Sequence, residues 1–186
     1  MTKYILHGGR TSNKTWENKE FFQEIVKGVK QPIILLINFA AIEKRWPELI
    51  EQEKQQFVTY TKHPKLKFLE ATKNPQTLVS QIKKANIIYL RGGKDDSLKK
   101  PLKDLDLKKL FKNKIIAGTS AGANLLVKYY FSNKKDRVRF GQNILPIKIF
   151  CHYNKTKSTK LTKLKSFREN LPILTLKEWE HKVIKI

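Results

Sequence analysis

The stretch from Lys114 to Asn124 constrains this chain more than any other. A short apolar run, Ile115, Ile116 and Ala117, leads into Gly118, Thr119, Ser120, Ala121 and Gly122, after which helical apolar spacing resumes over Asn124 to Tyr130. The pattern predicts a buried strand that turns sharply into a helix, with one serine at the corner. The two glycines have a steric reason, because such a turn brings neighbouring backbones together and leaves no room for Cβ atoms. Ser120 is pushed outward, beside a helix N-terminus whose free N–H groups favour developing negative charge.

A serine hydroxyl is a poor nucleophile near neutral pH without a base in hydrogen-bond reach and a third group to orient that base. Four histidines are available, and the surrounding pattern sorts them. Lys3 to His7 reads as a first strand that ends on Gly8 and Gly9. Lys14 to Val29 places apolar residues at helical spacing, and Pro32 to Phe39 is an apolar run of the kind covered on both faces of a parallel sheet. Trp46 to Thr61 is helical with Pro47 in its first turn. Leu66 to Leu69 is a short strand, and Asn74 caps a helix that runs to Lys84. Ile87 to Leu90 is a strand leaving through Arg91, Gly92 and Gly93, and Leu102 to Phe111 is partly helical. Beyond the elbow helix, Ser132 to Asp136 is a polar loop and Ile147 to Cys151 a strand ending on His152. Leu161 to Phe167 is a basic helix, and Ile173 to Leu176 and Val183 to Ile186 are the last strands.

This alternation predicts an α/β three-layer sandwich with a mostly parallel central sheet, built as one domain over residues 1–186, with ligands at the carboxyl ends of the strands. His7 and His152 both fall at that edge. His152 is the better base, on a strand expected next to the elbow strand. His63 reads as a surface residue and His181 as part of a hairpin turn. For the acid, Asp136 in the loop after the elbow helix and Glu178 after a strand end both remain open. The oxyanion would take the Ala121 N–H and one from Gly92 or Gly93.

The net charge of +23 invites a polyanion, yet only Arg10, Arg45, Arg91, Arg137, Arg139 and Arg168 among the 39 basic residues are arginine. The lysines are scattered except for five between Lys155 and Lys165. No nucleic-acid signature is present, so non-specific attraction is expected rather than a specific partner. A lone cysteine, Cys151, excludes an internal disulfide and suits a reducing cytoplasm. No apolar run has the length of a membrane span. No His, Cys and acid cluster has ligand spacing, so neither a metal nor a cofactor is expected.

Several stretches together resemble the serine peptidases of the dipeptidase E and cyanophycinase group, with their class I glutamine amidotransferase-like (flavodoxin-like) fold. They are Ile88 to Gly93 with Leu98, Gly118 to Asn124, Gly141 to Pro146 leading to His152 and Tyr153, Leu176 to Glu178, and the opening Leu6 to Gly9. The resemblance implies Ser120 as nucleophile, His152 as base and Glu178 as orienting acid, with Asp136 as second choice. It implies Gly93 and Ala121 for the oxyanion hole and Gly92, Lys94, Asn124 and Tyr153 around the substrate. The substrate would be a peptide or small amide, and the enzyme a monomer or homodimer. Lys94 replaces the asparagine that often follows the glycine pair, and no arginine segment for an N-terminal aspartate has a counterpart. Two rivals make different demands. An α/β-hydrolase esterase would use Ser120, Asp136 and His181 with His7, Gly8 and Gly9 as oxyanion loop, whereas an inactive basic binding module would use none of them.

Overall fold

A computed structural model describes residues 1–11 and 16–186. Five parallel strands form the body of its central sheet: β1 (Lys3–His7), β2 (Ile33–Ile37), β3 (Lys67–Glu70), β4 (Ile87–Leu90) and β5 (Ile115–Thr119). Their order is β1-β5-β4-β2-β3, so the three apolar strands β1, β5 and β4 are neighbours and end at one edge. Successive strand residues point to opposite faces, and both faces are dry. Tyr4, Leu6, Leu35, Ile37, Ile88 and Leu90 face one apolar cluster with Leu78, Ile82, Leu98, Leu107 and Leu125. Ile5, Ile34, Leu36, Ile87 and Tyr89 face another with Phe21, Phe22, Ile25 and Phe57.

The helices divide accordingly. α1 (Lys19–Val26) and α2 (Trp46–Thr61) cover the second face. α3 (Pro75–Lys84), α4 (Asp95–Lys99), α5 (Leu107–Leu110) and α6 (Ala121–Leu126) cover the first. The result is the α/β sandwich with a mostly parallel central sheet that the sequence implies. Asn74 caps α3 as expected, its side chain accepting from the Thr77 N–H at 3.0 Å. Lys14 and Thr15, which opened the expected first helix, lie outside the described residues.

A second sheet goes beyond the sequence reading. It contains β6 (Val127–Ser132), β7 (Arg137–Phe140), β8 (Leu145–Cys151) and β9 (Ile173–Leu176) in the order β7-β6-β8-β9. Alternation decides its packing. Tyr130, Ile149 and Cys151 join the cluster shared with the central sheet, while Tyr129, Phe131 and Phe150 turn away onto Leu164 of α7 (Ser158–Lys165). A last strand, β10 (His181–Lys185), returns to pair antiparallel with β1.

Three expectations are corrected here. The elbow helix stops at Leu126, and Val127 to Tyr130 begin β6 instead of continuing it. That run, Val, Lys, Tyr, Tyr, has one charged residue among three large ones and is too short to separate helical from strand spacing. The strand carrying His152 is β8 of the second sheet and not a neighbour of β5, whose partners are β1 and β4. His181 opens β10, half-buried and opposite His7, rather than sitting in a hairpin turn.

Candidate active site

The elbow forms because β5 and α6 approach too closely for anything larger than glycine. A Cβ on Gly122 would lie 2.2 Å from the Leu90 carbonyl oxygen of β4. Ser120 takes the corner at φ 47° and ψ −104°, a conformation costing a non-glycine residue about 1–3 kcal/mol. Its N–H donates to the His7 carbonyl at 2.9 Å, and its own carbonyl accepts from the Asn124 N–H at 2.8 Å. The corner is thus bolted to β1 on one side and to α6 on the other.

The second sheet brings the imidazole. His152 follows β8 with φ 54°, and its N–H donates to the Gly8 carbonyl at 3.1 Å, which ties the exit of β8 to the exit of β1. Lys157 donates to the His152 carbonyl from the first turn after it. Nε2 of the ring lies 2.9 Å from Ser120 Oγ, and Nδ1 lies 3.2 Å from Oε1 of Glu178. Glu178 is in the connection from β9 to β10 and is therefore delivered by the chain as it crosses from one sheet to the other. Its other oxygen, Oε2, meets Arg10 Nε at 2.7 Å.

Of the two acids the sequence left open, the structure puts Glu178 on the ring. Asp136 is exposed at the turn between β6 and β7 and pairs with Lys160 at 2.7 Å, and that ammonium holds its carboxyl below the usual range.

A cleft of about 330 Å³ opens above Ser120, lined by Arg10, Thr11, Arg91, Gly92, Gly93, Thr119 and His152 besides the serine itself. The Gly92 N–H is committed to Thr119 Oγ1 at 2.9 Å. Among the described residues the Gly93 and Ala121 N–H groups have no acceptor. Of the expected substrate contacts, Gly92 lines the cleft but Lys94, Asn124 and Tyr153 do not. Lys94 is exposed ahead of α4 with its N–H on the Ala40 carbonyl at 2.8 Å. Asn124 is buried and donates to Asp95 Oδ1 at 3.1 Å, which makes it a tie between α6 and α4. The Tyr153 ring packs edge-on against Phe150 at 5.5 Å on the outer face of the second sheet.

The sequence reading missed Arg10, Thr11, Arg91 and Thr119 as cleft residues. Arg10 follows the exit of β1 and Arg91 directly follows β4, so the rule that ligands sit at carboxyl ends of parallel strands could have marked both. Arg91 is held from behind by Glu53 of α2, a wholly buried carboxylate. Burial raises the pKa of Glu53, and the Arg91 guanidinium pulls it back down.

The esterase alternative fails on geometry. The Gly8 N–H donates to the Glu180 carbonyl at 2.9 Å and the Gly9 N–H to His7 Nδ1 at 3.1 Å, so this loop has no free donors for an oxyanion. His7 is fully buried and its pKa falls to about 3, chiefly from burial, with nearby His181 adding to it. Cys151 is buried beneath the serine, and burial pushes its thiol pKa far up, so it remains protonated.

Fold and geometry together define an α/β sandwich whose serine occupies a strained strand-to-helix corner against an imidazole. Within that class the chain is specific: the model of peptidase family S51 matches residues 4–184, and the chain belongs to that family of peptidases. Among solved structures, a peptidase from an acI-B1 Actinobacterium superposes with a TM-score of 0.73 at 22% identity, covering 100% of this chain and 84% of that one. A candidate peptidase E protein from Listeria monocytogenes EGD-e superposes with a TM-score of 0.66 at 19% identity, covering 99% and 97%. At such identities these two likenesses speak to the fold alone. No curated protein matches the chain. Among the described residues no helix is long and apolar enough to cross a membrane.

Proposed function

We propose that the chain is a serine peptidase that cleaves a peptide or related amide bond through an acyl-enzyme on Ser120, with His152 as general base and Glu178 as the acid that orients it. The observation that carries this reading is the 2.9 Å contact between Ser120 Oγ and His152 Nε2, made by a serine held in a strained conformation that aims its hydroxyl out of the sheet.

The chemistry follows from the proton inventory. Ser120 Oγ bonds to the carbonyl carbon as its proton passes to His152 Nε2, and the carbonyl π pair moves to the oxygen. That oxyanion takes the N–H groups of Ala121 and Gly93. Gly93 serves rather than Gly92 because the Gly92 donor is already used by Thr119. Collapse breaks the C–N bond, and the leaving amine takes the proton from Nε2. Water then attacks the acyl carbon, giving its proton to Nε2, and the C–Oγ bond breaks to release the acid and restore the Ser120 hydroxyl. Throughout, Glu178 Oε1 accepts from Nδ1–H, which fixes the tautomer with a basic Nε2 and stabilises the imidazolium as it forms.

A fluorophosphonate probe with peptide mapping tests this directly. In labelling, Ser120 Oγ bonds to phosphorus, fluoride leaves, and His152 takes the proton. The label should map to Ser120 and vanish in Ser120→Ala. Turnover of a dipeptide library should drop by roughly 10⁴-fold or more in that variant. Labelling at any other residue, or library turnover that survives Ser120→Ala, would sink the proposal. The library identifies the preferred residues on either side of the scissile bond.

A further inference from the structure

The loop leaving β1 touches two of the three groups of the site, His152 and Glu178. Gly8 accepts from the His152 N–H at 3.1 Å and donates to the Glu180 carbonyl, and Gly9 accepts from the Trp179 N–H at 3.3 Å. Gly9 adopts φ 129°, and a Cβ there would lie 2.0 Å from Cε1 of the His152 ring, so the loop runs directly along the imidazole. Residue 10 then turns back at φ 63°, and its guanidinium arrives on the far side of Glu178 from the histidine.

Two contacts fix it there. Nε meets Glu178 Oε2 at 2.7 Å, while Oε1 of the same carboxylate faces Nδ1 of His152 at 3.2 Å. The guanidinium carbon also lies 5.7 Å from the centre of the Trp179 ring, and Trp179 itself is held at φ 65° by its bond to Gly9. Glu178 is about 29% exposed, so without a partner on Oε2 water would compete for the carboxylate and leave it free to rotate off the ring.

We propose that Arg10 is a positioning residue for the reaction: it clamps Glu178 Oε2 so that Oε1 stays on His152 Nδ1, making the orienting system a relay of four side chains rather than three. The inference rests on the Ser120, His152 and Glu178 reading given above. Its Nε is engaged with Glu178 while the residue also lines the cleft, so the kinetics below separate a clamp from a substrate contact. A guanidinium Nε on one carboxylate oxygen, with the cation over an indole, holds a direction that a lysine's rotating ammonium keeps only in part.

The test compares Arg10→Gln and Arg10→Lys with the intact chain. Two readouts are used: the rate of fluorophosphonate labelling of Ser120, with kcat and KM on the best library dipeptide, and the downfield proton resonance of His152 Nδ1–H by NMR. Arg10→Gln should fold normally, lose or broaden that resonance, and label and turn over about 10- to 100-fold more slowly at nearly unchanged KM. Arg10→Lys should recover part of both. Wild-type labelling with the resonance intact in Arg10→Gln would overturn the clamp, as would a rise in KM with kcat preserved, which would put Arg10 on the substrate. If the wild-type chain takes no label at all, the peptidase reading falls, and the resonance alone still decides whether Arg10 holds the carboxylate.

Discussion

The two sheets contribute unequal halves of one site, and they are built to different standards. The central sheet is covered by helices on both faces and carries Ser120 on backbone bonded to β1 and to α6. The second sheet shares one face with that core. Its other face rests on a smaller cluster, with Tyr129, Phe131, Phe150 and Leu164 buried and partly exposed residues such as Val138, Leu161 and Phe167 around them. Charge widens the contrast. Residues 127–168 carry 12 basic residues against Asp136 alone, whereas the rest of the chain carries 27 against 15. The proposed nucleophile on a well-covered sheet therefore depends on a proposed base carried by a thinner, more highly charged one.

Emptying the small cluster breaks this comparison most directly. Phe150→Ala removes a fully buried ring that packs on Phe131 at 4.9 Å, and such truncations cost about 3–5 kcal/mol. Phe57→Ala does the same on the far face of the central sheet, where Phe57 meets Phe22 at 4.8 Å. If the second sheet is the weaker body, Phe150→Ala should lose labelling of Ser120 several degrees below the loss of far-UV ellipticity. Phe57→Ala should lose both together. Coincident transitions in both variants would mean that the sheets open as one unit.

How much of this was legible without coordinates follows the same division. Around the central sheet the breaks are marked, Gly8 after β1, Pro32 and Asn38 on either side of β2, Asn86 before β4 and Pro47 in the first turn of α2, so the pattern gives α2 from Trp46 to Thr61 and β4 from Ile87 to Leu90 with their observed bounds. In the second sheet β9 is legible from Ile173 to Leu176 and β8 over Ile147 to Cys151, but β6 is not. Val127, Tyr129, Tyr130 and Phe131 leave Lys128 as the one polar residue of that stretch, and a strand buried on one side by the core and on the other by α7 loses the alternation that would reveal it. Ser120, His152 and Glu178 could be named because each follows a strand end in a recognisable stretch. Arg10 could not, because its role depends on a left-handed turn after Gly9 and on the crossing of β9 to β10, and neither is written in local pattern. Tyr153, which the resemblance put beside the substrate, packs on Phe150 instead, a side-chain direction that local pattern does not encode.

Acid should act on the opposite partner, the central sheet. His7, at the end of β1, has its pKa lowered from 6.5 to about 3, mainly because burial disfavours the imidazolium. A depressed folded-state value contributes stability that is complete above pH 6.5, where both states are neutral, and is lost as the pH falls toward 3, because the unfolded chain takes up a proton the folded one refuses. At pH 5 the loss from this group is about 2 kcal/mol. Urea midpoints measured between pH 7.5 and 4.5 should therefore fall less in His7→Gln, which retains an acceptor for the Gly9 N–H. Equal slopes in the two proteins would show that His7 protonates without cost to the fold.

Salt gives the smallest and most selective effect. The basic residues of the second sheet lie mostly on its exposed side: Lys134, Lys135 and Arg137 around the β6–β7 turn, and Lys155, Lys163 and Lys165 along α7 and its approach. With so few acids in the same segment, the pairs that offset their mutual repulsion among the described residues are Asp136 on Lys160, Glu169 on Lys128, and Asp96 of α4 on Arg139. Screening shortens the reach of that repulsion to about 10 Å at 0.1 M salt and about 3 Å at 1 M. Raising sodium chloride from 0.05 to 0.5 M should slow amide hydrogen exchange in β7 and β8 by a factor of about 3 to 5, equivalent to roughly 0.6–1 kcal/mol, and leave β4 and β5 nearly unchanged. The sign is the informative part. If the three ion pairs outweighed the repulsion, salt would speed exchange in β7 and β8 instead, and the second sheet would be held together by its charges rather than strained by them.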